Sequence, residues 1–307
     1  MTLQDISMSV LPFLAAFTLT FITTPPVAKF FFNRGVWGFD LHKEGEIKVP
    51  ELGGVAVFFA TLVVLSYHYF IGAGELLFPI LALIVIGTLG IIDHYTRLTA
   101  VQKITSFYIV GVFLAWGLGH RGAAAYLVIG FLFMAAVNFT NMLAGFNGLE
   151  IGTGAIASIG IALTAYLAGE IHSFIIASTM AGALLAFLYY NKFPASVFPG
   201  DVGTLIIGAA LFSSILLGRL YIPGIIVFTP YIIDAGLKFS SVGVMTRESQ
   251  KPTEVRDGKL YIPKDTNLSL ARLFLRQRAM SEREVVRRVW MVEAFFAALA
   301  IGFKVVF

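Results

Sequence analysis

Asn138, Asn141 and Asn147 stand within ten residues of one another, with Gly145, Gly148 and Glu150 among them, at the end of an otherwise apolar stretch. Polar groups at membrane depth are costly to leave without partners, so this block is expected to line a wet, functional cavity. Asparagine amides can act as neutral oxygen ligands or bond a nucleobase. Asn138 and Asn141 are three residues apart and share a helix face. Interhelical hydrogen bonding is the plain alternative, most of all for Asn138.

Other chemistry-bearing residues also stand at the ends of apolar runs. Asp93-His94 closes one, and Lys103 follows ten residues after Asp93. An intramembrane carboxylate is a functional hypothesis by default. An interfacial Asp-His pair is the alternative. Asp201, in Phe198-Pro-Gly-Asp-Val-Gly-Thr204, is placed just before a further apolar run, where a helix N-terminus favours an anion. A helix cap alone also explains it. Asp40-Leu41-His42-Lys43 and Val49-Pro-Glu51-Leu-Gly53-Gly54 flank one loop. Glu51 can satisfy a helix dipole, and Gly53-Gly54 allows a backbone or a ligand to approach closely. Arg247 and Lys251 are basic residues of a long loop that the positive-inside rule alone could explain. Asp234 and Glu293 fall inside apolar stretches without a motif. Either could line a lipid groove, or pair with Lys238 or an arginine.

The elements that position these groups are membrane spans. Of 307 residues, 58% are hydrophobic and only 13% charged. A soluble domain is nearer half apolar and a quarter charged. The reading is an all-α polytopic membrane protein forming a single domain over 1–307. About ten stretches reach the length needed to cross a bilayer. They are placed near 8–32, 52–71, 76–93, 101–119, 123–142, 150–168, 172–190, 202–219, 221–244 and 286–306. The first is read as a retained span that Pro25-Pro26 should kink. The chain has no cysteine, which excludes disulfides and thiolate metal sites.

The loops alternate in charge. Arg34, Lys43, Lys48, Arg97, Lys103, Lys192 and the stretch from Arg247 to Arg288 fall on one side, and little beyond Arg121, Arg219 and Lys304 on the other. The first side is expected to be cytoplasmic, with both termini outside. The chemistry-bearing residues collect at this cytoplasmic face. The long loop, 245–285, is expected to hold a hairpin around Asp257-Gly258 and a surface helix from Leu268 to Arg278 capped by Asn267. A capping box at Ser281 and Glu284 is expected to start the last span. A plain solvated basic linker is the alternative for this loop.

The asparagine block and the Phe-x-Gly-Asp element resemble the signatures of the polyprenyl-phosphate N-acetylhexosamine-1-phosphate transferases. The form Ala-Gly-x-Asn-Gly-Leu-Glu resembles the dolichol-type branch of eukaryotes and archaea. The resemblance runs in order along nearly the whole chain. It implies that Leu41 and Glu51 lie near the nucleotide, and that Asn138, Gly145 and Asn147 bind substrate. It makes Asp93, Lys103 and Asp201 catalytic and has Asp201 bind magnesium. Asn141 and Asp201, with diphosphate oxygens and water, suit Mg²⁺, for which Mn²⁺ can substitute. Arg247 and Lys251 are the candidates for diphosphate contact, although their spacing departs from the family's His-x-Arg. His94 also departs, because it stands where the family carries a second aspartate.

The function this implies is transfer of N-acetylglucosamine-1-phosphate from UDP-GlcNAc to dolichyl or another polyprenyl phosphate, releasing UMP. This is the first step of a lipid-linked oligosaccharide, as in protein N-glycosylation, and the archaeal form of the motif suits it. The partners are the two substrates and the lipid bilayer, with a homodimer allowed for and no nucleic acid. A bacterial-type enzyme acting on undecaprenyl phosphate is one alternative. A secondary transporter is another, but it calls for polar groups near mid-membrane and a path to both sides.

Overall fold

The structure is a computed structural model that describes residues 3–40, 47–243, 253–263 and 266–307. Long apolar runs become helices because a backbone in lipid must satisfy its own hydrogen bonds. In chain order these are α1 (Leu3–Phe32), α2 (Gly54–Phe70), α3 (Leu77–Thr96), α4 (Ala100–Gly117), α5 (Ala123–Met142), α6 (Leu149–Ala168), α7 (Ile171–Asn191), α8 (Gly200–Leu217) and α9 (Tyr221–Val242). The short α10 (Leu270–Gln277) and the long α11 (Glu282–Val306) complete them. Among the described residues nine helices are long and apolar enough to cross a membrane. The expected second span, α2, is apolar but shorter than these. The protein is thus a multi-pass, all-α membrane protein.

Burial separates centre from rim. The most apolar windows of α6, α7 and α8 are 67%, 78% and 78% buried, against 22% for those of α1 and α11. Around this centre, α1 packs on α7, α3 and α5 on α8, and α11 on α6 and α9. Rim helices expose large apolar side chains such as Leu127, Ile225 and Phe295. Such a band would be an aggregation hazard in water and is the surface expected in contact with lipid.

Two small antiparallel ribbons decorate one end. β1 (Trp37–Phe39) pairs with β2 (Lys48–Pro50), with Gly38 opposite Val49. β3 (Glu254–Arg256) pairs with β4 (Lys259–Tyr261) around Asp257 and Gly258, at φ 50° and 68°. The second ribbon is the expected hairpin, and two positive φ values are what a type I′ turn requires. A bridge from Leu260 to Met280 ties it to the chain entering α11.

Several boundaries differ from expectation. Asn267 does not cap α10. Ser269 does, its hydroxyl accepting the Arg272 amide at 3.2 Å, while the Asn267 side chain accepts from the Arg272 guanidinium. The expected capping box of Ser281 and Glu284 forms, but α11 then starts at Glu282 and not near 286. Helix α3 continues to Thr96, so Asp93 and His94 occupy its last turn. Helix α8 begins at Gly200, which places Asp201 inside its first turn and not before it, with no side-chain cap at Pro199. Helix α1 runs on through Pro25 and Pro26.

Candidate active site

The last turn of α3, the first turns of α4 and α8, and the end of α5 meet at one end of the bundle. Close approach of backbones makes this possible. A Cβ on Gly54 would lie 2.5 Å from the Cα of Gly203 and from the carbonyl oxygen of Pro199. A Cβ on Gly90 would lie 2.6 Å from the Cα of Val202. At Gly54 the close approach is that of a backbone: α2 there, and α3 at Gly90, press directly on the first turn of α8. That turn carries Asp201.

Lys103, in the first turn of α4, bridges two carboxylates. Its ammonium pairs with Asp93 Oδ2 and lies 3.1 Å from Asp201 Oδ2. Asp93 is buried, and Asp201 is 36% exposed by its side chain. The Thr99–Gln102 capping box fixes the start of α4 at Ala100, three residues before Lys103. Asn141 closes the group from α5, its Oδ1 accepting from the Thr204 hydroxyl at 2.6 Å. Thr204 also lies 3.1 Å from the Asp201 carbonyl. Asp93, Lys103, Asn141 and Asp201, spread over more than a hundred residues of sequence, therefore form one cluster.

Beside it opens a cavity of about 250 Å³, lined by Glu51, Asn141, Gly145, Asn147, Glu150 and Asp201 together with Asp40, Asn191 and Thr204. Its loop wall is held in place by long-range contacts. The Asn147 amide donates to Asp40 Oδ2 at 2.9 Å, and its backbone N–H donates to Glu282 Oε1 at 2.6 Å. The next amide, Gly148 N–H, donates to Asn191 Oδ1 at 3.1 Å. Gly145 sits at φ 136° with open space where a side chain would project. That conformation is natural only for glycine, and it leaves the cavity floor clear.

Not every expected site residue is brought here. Asn138 is absent from the lining, and its amide donates to the Met134 carbonyl of its own helix at 2.8 Å. His94 Nδ1 faces Glu51 Oε2 at 3.6 Å, so His94 joins the cavity rim through Glu51 and not through Asp93. Leu41, Arg247 and Lys251 lie outside the described residues. Four further residues line the cavity: Asp40, Glu150 and Thr204, which stand in the quoted motifs without an assigned role, and Asn191. The signal available for each was a polar residue at the boundary of an apolar run.

The two residues without a motif have distinct surroundings. Asp234 pairs with Lys238 at 2.8 Å, one of the expected alternatives, and also accepts the Leu270 amide at 2.8 Å. Lys238 in turn donates to the Met142 carbonyl. This relay joins α9, the start of α10 and the end of α5. Glu293 is fully buried in α11, with neither carboxyl oxygen hydrogen-bonded among the described residues.

The donor set can be tested against a divalent cation. No cluster of three His, Cys, Asp or Glu side chains exists among the described residues. Protein ligands alone are too few for a closed metal cage. Two carboxylates and an amide oxygen are nevertheless hard donors, and a cation, the Lys103 ammonium, already bridges the carboxylates. Such a half-site fits Mg²⁺, which keeps waters and takes substrate phosphates as its remaining ligands.

Known proteins share this arrangement of sequence. The pattern of glycosyl transferase family 4 matches residues 76–219, a span that contains Asp93, Lys103, Asn141, Asn147 and Asp201. A provisionally named glycosyltransferase of Methanocaldococcus jannaschii is 40% identical, over 94% of this chain and 97% of its own. A provisionally named UDP-N-acetylglucosamine–dolichyl-phosphate N-acetylglucosaminephosphotransferase of Sulfolobus acidocaldarius is 28% identical, over 95% of each chain. A phospho-N-acetylmuramoyl-pentapeptide-transferase of Halalkalibacterium halodurans is 26% identical, over 96% of this chain and 97% of its own. The bundle, the one-ended polar cluster and these relatives agree: the chain belongs to glycosyl transferase family 4, as a membrane enzyme that transfers a sugar phosphate from a nucleotide sugar to a polyprenyl phosphate.

Proposed function

We propose that the protein transfers N-acetylglucosamine-1-phosphate from UDP-GlcNAc to dolichyl phosphate, or a similar polyprenyl phosphate, and releases UMP. The observation that carries this reading is the Asp93–Lys103–Asp201 bridge beside Asn141, at the edge of a polar cavity on one end of an apolar bundle. A polar site open at one face suits a water-soluble nucleotide meeting a lipid-borne phosphate. The Ala-Gly-x-Asn-Gly-Leu-Glu form and the likeness to the Sulfolobus protein support N-acetylglucosamine and dolichyl phosphate. The charge asymmetry of the loops supports a cytoplasmic site, in a cell membrane, with both termini outside.

An oxygen of the lipid phosphate attacks the β-phosphorus of the nucleotide sugar. The bond from that phosphorus to the oxygen bridging the α- and β-phosphates breaks, and UMP leaves with that oxygen. The attacking phosphate is already ionised, so no proton need be removed from it. Catalysis is then mostly positioning and charge compensation. Family members generally depend on a divalent metal. Asp201 and Asn141, with Asp93, would hold Mg²⁺, or Mn²⁺ in its place, and the ion when bound supplies Lewis-acid neutralisation of the diphosphate. Lys103 keeps the two carboxylates facing each other and offers a positive group to the phosphates. Asn147, fixed at both its amide and its backbone, and Glu51, steadied by His94, wall the nucleotide end. Gly145 leaves room for the sugar nucleotide, and Leu41, Arg247 and Lys251 are assigned to the substrates from the motif resemblance alone. The site is proposed for a single chain, whether or not it pairs into a homodimer.

The test is UMP release by purified protein with a matrix of UDP-sugars and prenyl phosphates. UDP-GlcNAc with dolichyl phosphate is expected to give the highest kcat/KM. A preference for UDP-N-acetylmuramoyl-pentapeptide with undecaprenyl phosphate would move the protein to the bacterial-type reaction.

A further inference from the structure

Arg283 and Arg287 stand one turn apart on α11 and share a face. Together with Lys192, from the connection between α7 and α8, they line a second cavity of about 300 Å³. Phe193 and Trp290 wall it, and Asn147 lies between it and the cavity that holds Asp201. The cleft is built and not merely crowded. The Arg283 guanidinium lies over the Phe193 ring at 5.1 Å, and the Lys192 ammonium over the Tyr189 ring at 5.1 Å. The Trp290 indole N–H donates to the Gly148 carbonyl at 3.2 Å, which fixes that wall.

No carboxylate neutralises these three cations among the described residues. Those adjacent in sequence have other partners: Glu284 faces Arg278 at 3.6 Å and closes the Ser281 capping box, and Glu282 accepts the backbone N–H of Asn147 at the cleft wall. Like charges one helical turn apart repel. Three cations thus converge on one cleft, and among the described residues none of them is held in an ion pair. Paired arginines match the oxygens of a phosphate group. The indole of Trp290, two turns into a spanning helix, suits the level of lipid headgroups.

We propose that this cleft binds the phosphate group of an anionic membrane lipid, at a site separate from the catalytic cavity. A headgroup seated on Arg283 lies one residue from Glu282, whose contact holds the Asn147 loop. Free phosphate shares the same recognition chemistry and is the other source of the ligand.

The test counts lipids retained by the purified protein in native mass spectrometry, with phosphatidylglycerol and phosphatidylcholine offered in turn. The unaltered protein is expected to hold one more phosphatidylglycerol than Arg283→Gln/Arg287→Gln, whose affinity for it should fall about tenfold as two charge-assisted contacts are lost. Phosphatidylcholine retention should not change. Inorganic phosphate that displaces the lipid where equal chloride does not would identify a general phosphate site, and failure to displace it a lipid-headgroup site. Both results support the proposal. Equal retention of phosphatidylglycerol by the two proteins would overturn it. Should the double variant not fold, Lys192→Gln, outside any helix, decides by the same readout: lost retention supports the cleft and unchanged retention removes it. The readout is binding and not turnover, so it is independent of which sugar the enzyme transfers.

Discussion

At the scale of single residues, the site depends on charge held between helices. Lys103 sits between Asp93 and Asp201, and Asn141 is locked to Thr204. Asp201→Asn and Asn141→Ala are each expected to lower kcat by about 10²–10³-fold, the usual loss when one preorganised electrostatic group is removed. Their thermal midpoints should stay close to that of the unaltered protein, because Asp201 caps nothing and Asn141 borders a cavity. Near-normal turnover in both at saturating substrates and Mg²⁺ would remove the proposed metal site. The neighbours Asp93 and His94 are expected to separate. Asp93 touches Lys103, whereas His94 faces Glu51 on the cavity rim. Asp93→Asn should lose most turnover. His94→Asn, which keeps a donor for Glu51, should retain activity within about tenfold and raise KM for the nucleotide sugar more than it lowers kcat. The reverse order, measured as full saturation curves, would show a site rebuilt around histidine. Sequence reading could name these residues because each is a polar group at the end of an apolar run. It could not show that His94 turns toward Glu51, since nothing local links residues that lie 43 positions apart in the numbering.

At the scale of elements, the cluster exists because α2, α3 and α8 approach almost backbone to backbone. A methyl group on Gly54 would meet main-chain atoms of Pro199 and Gly203, which cannot rotate away as a side chain would. Gly54→Ala is therefore expected to destabilise by about 1–3 kcal/mol through overpacking. It should also shift the first turn of α8, and a displacement of about 1 Å at a catalytic group can cost about 10²-fold in rate. A lowered thermal midpoint with a falling kcat is the expected result, and an unchanged kcat would show that α8 is not set by this contact. A second element-level link is the Asp234–Lys238 pair between α9, α10 and the end of α5. Lys238→Met strands a buried carboxylate and is expected to cost about 3–5 kcal/mol. Asp234→Leu/Lys238→Met removes both charges and should be milder, a difference that thermal denaturation of the two variants reads directly. The helices themselves were legible from apolar runs, and the α11 capping box and the β3–β4 hairpin from their local signals. The β1–β2 ribbon was not, since strands of three residues carry too little alternation to register. The cap of α10 was misplaced by two residues, because Asn267 and Ser269 are both good N-cap types and only the fold decides between them.

At the scale of the whole molecule, polarity is gathered at one end of an apolar bundle. Composition made the membrane class plain, and motif order made the transferase reading plain. What sequence could not supply was the way distant segments brace the site: Asn147 is held by Asp40 and Glu282, which lie 107 and 135 residues away in the chain. Contacts at such separations leave no periodic trace. The same geometry gives the orientation proposal a sharp test. Helix α5 ends at the site with Asn141, so its start, preceded by Arg121, lies at the opposite end of the bundle. Lys238, near the end of α9, bonds the Met142 carbonyl, and the β3–β4 ribbon bridges from Leu260 to Met280 just before α11, so Lys259 belongs to the site end. Both Lys259 and Arg121 are exposed, and the chain has no native cysteine to interfere. Single variants Lys259→Cys and Arg121→Cys, in whole cells, are expected to label oppositely with a membrane-impermeant maleimide. Arg121→Cys should react from outside. Lys259→Cys should react only after the membrane is opened, as the positive-inside rule requires of the basic face. Labelling of Lys259→Cys in intact cells would turn the molecule over and place the nucleotide-sugar cavity on the side where no cytoplasmic UDP-sugar could reach it.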